Sequence, residues 1–190
     1  MITRLRQFGG SDYVFAVNDL REFGDYVGQY GLVMENGLPS KAALALRRKS
    51  GHVYDLLARR EIAVAASAGQ LRIPVDMGPC EGRVFMVTDQ AITGVGVKAA
   101  ATAKLGGSVS CDVVVAGADG RPMDAVVPLK LDILDPSGRA AEFSGYYGAV
   151  GGRVTVKLDL ARNDSPGLWQ IRATELASGL TASHYLRVSR

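Results

Sequence analysis

Histidine, cysteine and tryptophan are scarce in this chain: two, two and one among 190 residues. His52 and His184 leave little for a proton shuttle or a metal centre, and both are read as structural or surface residues. Cys80 sits in a Gly-Pro-Cys-Glu-Gly turn and Cys111 in a strand-like run, and their surroundings match neither a metal site nor a redox dithiol. Both are expected to be free thiols. No stretch approaches the ~20 apolar residues that span a bilayer, and Met1 to Gly10 lacks the apolar core of a signal peptide. Charge of one sign does not accumulate either. Residues 1–90 carry 11 basic and 10 acidic side chains, residues 91–190 carry 11 and 9, and the formal net charge is +3. That even spread implies neither a nucleic-acid partner nor a membrane partner. The dense basic clusters, Arg47-Arg48-Lys49 and Arg59-Arg60, read as solvated strand ends and turns.

Catalytic signatures are missing too. There is no Gly-x-Ser-x-Gly elbow, no Ser-x-x-Lys box and no His-Glu-x-x-His helix. Gly94-x-Gly96-x-x-Ala99 has dinucleotide-like spacing, but that fingerprint needs a strand–turn–helix context and here falls in a strand pattern. Glu22, Asp25 and Glu35 lie near one another in sequence. A glycosidase needs two carboxyls held ~5–10 Å apart across a sugar cleft, which spacing within a loop does not establish. Asp119 and Asp124 flank a Gly-Arg-Pro turn without the oxygen-rich spacing of a calcium loop. The expectation is a chain with no catalytic residue, no cofactor and no metal of its own.

What the sequence has in abundance is strand alternation. With 47% hydrophobic and 22% charged residues it is an ordinary folded protein, long enough for two domains of about 90–100 residues. Arg153 to Leu160 alternates apolar and polar without a fault. Leu129, Leu131 and Ile133 share one face, as do Val109, Cys111, Val113 and Val115, and as do Trp169, Ile171 and Ala173. Turn chemistry falls between these runs, at Asp119-Gly120, Asp135-Pro136-Ser137-Gly138, Gly151-Gly152 and Asn163 to Gly167. Six or seven short strands at that spacing indicate an immunoglobulin-like sandwich over residues 91–190. Trp169 is expected in its core rather than as a sugar platform.

Residues 1–90 are also read as β. Tyr13, Phe15 and Val17 share a face, Leu71, Ile73, Val75 and Met77 alternate, and Arg83 to Thr88 closes the half. Ala42 to Lys49 fits either a strand or a short helix. The stretch from Asn18 to Lys41 reads as a long loop. Its polar and aromatic content makes it the candidate interaction surface: Arg21, Glu22, Asp25, Tyr26, Tyr30 and Glu35. Tyr146 and Tyr147 are the other aromatic residues available to a ligand. The fold expected is all-β, two consecutive antiparallel sandwiches divided near Asp89-Gln90-Ala91.

One ordered series of residues carries a resemblance. Tyr13-Val14-Phe15-Ala16-Val17-Asn18-Asp19, Arg21-Glu22-Phe23-Gly24-Asp25-Tyr26, Val53-Tyr54-Asp55-Leu56, and Leu71 with Gly78-Pro79-Cys80-Glu81-Gly82-Arg83-Val84-Phe85 form it. The series resembles the C-terminal β-sandwich region that follows the catalytic barrel in large bacterial β-galactosidase-like glycoside hydrolases. Residues 91–190 resemble a macroglobulin-type, immunoglobulin-like domain through Gly120-Arg121-Pro122, Leu131 to Gly138, and Pro166-Gly167-Leu168-Trp169-Gln170-Ile171. The resemblance implies a non-catalytic accessory module of a multidomain carbohydrate-active protein, fragmentary with respect to its parent. Its partner would be a catalytic domain of the same polypeptide. A carbohydrate-binding module using exposed tyrosines, with a glycan as ligand, is the alternative, as is a cell-surface or periplasmic scaffold. The compartment is left open.

Overall fold

The computed structural model describes residues 1–24, 27–29, 31–32 and 35–190. Among these there is no helix, hence none long and apolar enough to cross a membrane. The chain forms two compact units, Met1–Gln7 with Asp12–Asp89, and Phe8–Ser11 with Gln90–Arg190.

The first unit contains β1 (Ile2–Phe8), β2 (Ser11–Val17), β3 (Arg21–Phe23), β4 (Val27–Gly28), β5 (Gly31–Leu32), β6 (Glu35–Gly37) and β7 (Ser40–Leu46). It continues with β8 (His52–Asp55), β9 (Arg60–Ile62), β10 (Ala65–Ser67), β11 (Gln70–Met77) and β12 (Gly82–Thr88). A five-stranded sheet runs β1-β2-β12-β8-β9, and a three-stranded sheet runs β10-β11-β7. Alternation decides what lies between them. Val14 and Ala16 of β2, Phe85 and Val87 of β12, and Val53 of β8 meet Leu71, Ile73, Val75 and Met77 of β11 and Leu46 of β7 in one buried cluster. The segment 42–49, open to either reading in sequence, is strand through Leu46, paired with β11 from Ser40↔Met77 to Leu46↔Leu71.

The stretch from Asn18 to Lys41 is not the loop its glycines suggest. Its described residues include two ladders, β3 against β6 with Arg21↔Gly37, Glu22↔Asn36 and Phe23↔Glu35, and β4 against β5 with Val27↔Leu32 and Gly28↔Gly31. These strands are two or three residues long, too short for alternation to register.

The second unit contains β13 (Ile92–Lys98), β14 (Thr102–Lys104), β15 (Ser108–Gly117) and β16 (Val126–Leu134). After these come β17 (Gly145–Val150), β18 (Arg153–Asp159), β19 (Gly167–Glu175) and β20 (Thr181–Ser189). They join in the order β13-β15-β18-β17-β16-β19-β20-β14. β17 and β18 share the single pair Val150↔Arg153. The eight-stranded sheet curls over there, bringing β13 close to β19 and β20. Gly152 makes this curl possible. Its φ is +69°, and a Cβ there would stand 2.5 Å from Met123 N. β14 is the one strand of this sheet paired in parallel, against β20.

Of the core positions expected from alternation, Leu131, Ile133, Val156, Leu158, Trp169 and Ile171 are buried, whereas Val154, near the β17–β18 corner, is only half-buried.

Candidate functional site

The candidate surface read from sequence is brought together in part. Arg21 and Glu22 lie on β3 and Glu35 on β6. The Arg21 guanidinium pairs with the Glu35 carboxylate across this ladder, with Asp19 3.6 Å from its Nε. Asp25, Tyr26 and Tyr30 lie outside the described residues. Phe23, which hydrophobicity alone would tuck back over the sandwich, is 72% exposed.

The root of this hairpin is a buried polar clamp. Asn18 is 1% exposed, and its side-chain amide donates to the carbonyls of Leu38 at 2.7 Å and Gly78 at 2.8 Å. Its backbone N–H donates to Glu81 O at 2.9 Å, and its side-chain oxygen accepts the N–H of Leu20 at 3.2 Å. Glu81 returns the connection by accepting the N–H of Gly78 at 2.7 Å and pairing with Arg83 at 2.5 Å. Arg83 then pairs with Asp55 at 3.0 Å, and Asp55 accepts the N–H groups of Leu57 and Ala58 at 2.9 and 3.0 Å. Asn18, Asp55, Glu81 and Arg83 are therefore bonded to one another or to turn backbone. They close one end of the first sandwich, and sequence reasoning had assigned them no role.

Histidine chemistry is spent in the same way. His52 Nδ1 lies 2.7 Å from Glu61 on the neighbouring strand, and His184 Nε2 lies 3.3 Å from the Ala100 carbonyl. No group of three metal-capable side chains occurs among the described residues.

The second unit offers two surfaces. A cleft of about 530 Å³ opens beside Asp135, Arg139, Glu142, Asn163, Asp164 and Trp169. The Ser137 hydroxyl above all, with the Arg139 N–H and guanidinium and against a smaller desolvation penalty, lowers the Asp135 carboxyl to about 2. A carboxylate so firmly ionised is in the wrong state for a general acid. Asp164 accepts the Ala161 N–H at 2.7 Å, a turn contact. Trp169 is 3% exposed and donates its indole N–H to Ser165 O at 2.9 Å, so it serves the core.

The other surface is the outer face of β17-β16-β19-β20. Tyr146 is 72% and Tyr185 54% exposed. Register places Tyr146 beside Lys130 and Tyr185 beside Gln170, which lies opposite Leu134. Three strand spacings and four residues separate the rings, roughly 20 Å by ordinary sheet geometry. On the diagonal between them, Asp132 holds Lys130 at 2.9 Å and Arg172 at 3.0 Å. Lys130 leads the causes that lower the Asp132 carboxyl below its ordinary value. Tyr147, considered with Tyr146 as a ligand surface, is instead half-buried, its hydroxyl donating to Phe143 O at 2.7 Å. Tyr185 was not among the aromatic residues expected at a ligand surface, although its alternation with the buried Leu186 and Val188 signals an outward side chain.

No family model matches the chain, and no curated protein matches it. Among solved structures it is similar to the adhesin InvE of Yersinia pseudotuberculosis, at 12% identity and a TM-score of 0.42, over 99% of this chain and 59% of that one. It is also similar to a chain assigned as a β-galactosidase from Bacteroides fragilis, at 13% identity and 0.32, over 95% of this chain and 33% of that one. Dimeric latent PorU of Porphyromonas gingivalis matches at 13% and 0.36, over 99% and 20%. In each case the chain spans less than two thirds of the matched protein's length.

Proposed function

We propose that the chain is a non-catalytic accessory module of a multidomain carbohydrate-active protein, one that docks on or spaces a catalytic domain of the same polypeptide. The fate of its polar motif residues supports this reading. Asn18, Asp55, Glu81 and Arg83 are used up in closing the first sandwich, while β3, at the clamped root of the hairpin, leaves Arg21, Glu22 and Phe23 exposed. The sequence resemblance to the tail of β-galactosidase-like hydrolases supplies the class of parent. The test is association in trans with the catalytic domain that this reading assigns to the same polypeptide. Phe23→Ala combined with Glu22→Ala should weaken it while leaving the urea midpoint unchanged. Association that ignores both substitutions would remove the hairpin from the interface.

A second reading, a glycan-binding module, draws on Tyr146 and Tyr185. Their electron-rich faces suit the C–H-rich face of a pyranose, and the Lys130–Asp132–Arg172 group between them suits sugar hydroxyls. Binding to a glycan array, lost in Tyr146→Ala and Tyr185→Ala with stability intact, would favour it. An array that stays blank would dismiss it.

A further inference from the structure

The two larger sheets of the first unit are unequal, five strands against three. β7 ends the three-stranded sheet, and its outer edge has no pairing partner among the described residues. Exposed sheet edges are normally blunted by charge, proline, a bulge or a cover, because unpaired N–H and C=O groups recruit another strand. β7 reads Ser-Lys-Ala-Ala-Leu-Ala-Leu, without proline, and its register with β11 is uninterrupted. Its one charge, Lys41, is taken up by Asp76 at 3.0 Å on the neighbouring strand.

All seven residues of β1 are exposed. Thr3 and Leu5 nevertheless line, with Val14, Leu44, Leu46 and Ile73, a groove of about 290 Å³. Leu5 thus shares a groove with core side chains yet remains 42% exposed. From the opposite sheet the groove is lined by Leu44 and Leu46 of β7 and Ile73 of β11. A strand laid beside β7 at the usual ~4.8 Å would satisfy the β7 edge and send alternate side chains down onto Leu5.

We propose that the β7 edge and this groove are an acceptor site for an extended, acidic peptide segment of a partner polypeptide, apolar at alternate positions. Charge selects this occupant. Arg4 borders the groove, Arg6 follows on β1 and Arg47 follows β7, all exposed. No acidic partner is recorded for any of the three among the described residues. A second copy paired through β7 would bring Lys41 and Arg47 to this edge, both basic, and no acidic side chain of its own strand. The assignment goes beyond the accessory-module reading, since what is recognised here is backbone rather than sugar, and it stands without that reading.

The test titrates the isotope-labelled full chain with the peptide Glu-Val-Thr-Val-Glu-Val-Glu. Two versions, N-methylated at odd or at even positions, and one with Lys for every Glu complete the set. Amide shifts should centre on Ser40 to Leu46 and on Leu5, and exchange of the β7 amides should slow. One N-methylation pattern should lose binding by at least about tenfold while the other retains it, because only one edge of an added strand is used. The lysine peptide should bind more weakly. Leu5→Glu, at a half-exposed position, should weaken binding and leave the urea midpoint in place. Shifts that avoid β7, or equal binding by both N-methylated peptides, would overturn strand addition. Self-association abolished by Leu5→Glu, without peptide binding, would make a second copy the occupant and overturn the proposal.

Discussion

Asn18 and Gly78 are joined by a 2.8 Å hydrogen bond from the asparagine amide to the glycine carbonyl, 60 residues along the chain. The same amide holds Leu38 O at 2.7 Å, so one buried side chain ties the root of the β3–β6 hairpin to the turn before β12. Asn18→Ala would strip two carbonyls of their donor. The expected loss is about 2–6 kcal/mol, from about 1–3 kcal/mol for each of the two groups left unsatisfied. Urea denaturation measures it. A change under ~0.5 kcal/mol would show that water takes over both bonds.

Trp169 should behave as a core residue. Its ring is almost fully covered and its N–H is bonded to Ser165 O. Trp169→Ala is expected to cost ~3–5 kcal/mol in the second unit. Trp169→Phe, which keeps most of the packing and loses the hydrogen bond, should cost clearly less. Equal losses would mean that packing of the indole contributes little.

Asp135 should make the turn after β16 sensitive to strong acid. Its folded pKa of about 2 lies below the unfolded value, which is about 3.9. The stabilising effect is therefore complete above the unfolded pKa and is lost as pH falls through about 2. Carboxyl carbon shifts followed by NMR should show that low midpoint, and Ser137→Ala should raise it. An ordinary carboxylate midpoint in the native chain would refute the assignment.

The two cysteines should react very differently. Cys80 is exposed and Cys111 buried, both as free thiols. Burial first, with Asp112 beside it, pushes the Cys111 thiol up to about 11. At pH 8 a disulfide reagent should therefore titrate one thiol quickly in the native chain and the second only after denaturation. Rapid modification of Cys111 without unfolding would show that β15 opens readily.

Most strands of the second unit were legible in its sequence, whereas β14 and β17 were not read as strands. Its strands are six to ten residues long apart from β14, with three, long enough for period-two alternation to mark both faces. Val154 escaped the core because it sits beside the corner where the sheet folds over, a property of the β17–β18 connection rather than of the local pattern. The candidate surface fared less well. Arg21 and Glu35 were named as members of one interaction surface, and their ion pair forms because β3 and β6 pair, which nothing within either three-residue strand announces.

The sequence by itself determined the all-β class and most of the inward and outward residues of the long strands. These follow from neighbours one and two positions away, where the pleat of a strand leaves a side chain no choice of face. Tertiary structure alone decided that Asp55 meets Arg83, that Asn18 reaches Gly78, and that β7 is left with an unpaired edge beside Leu5. Those outcomes depend on which distant strands come together and on how many strands each sheet holds. Alternation fixes the face of a strand, but the edge of a sheet exists only once every strand has found its neighbour.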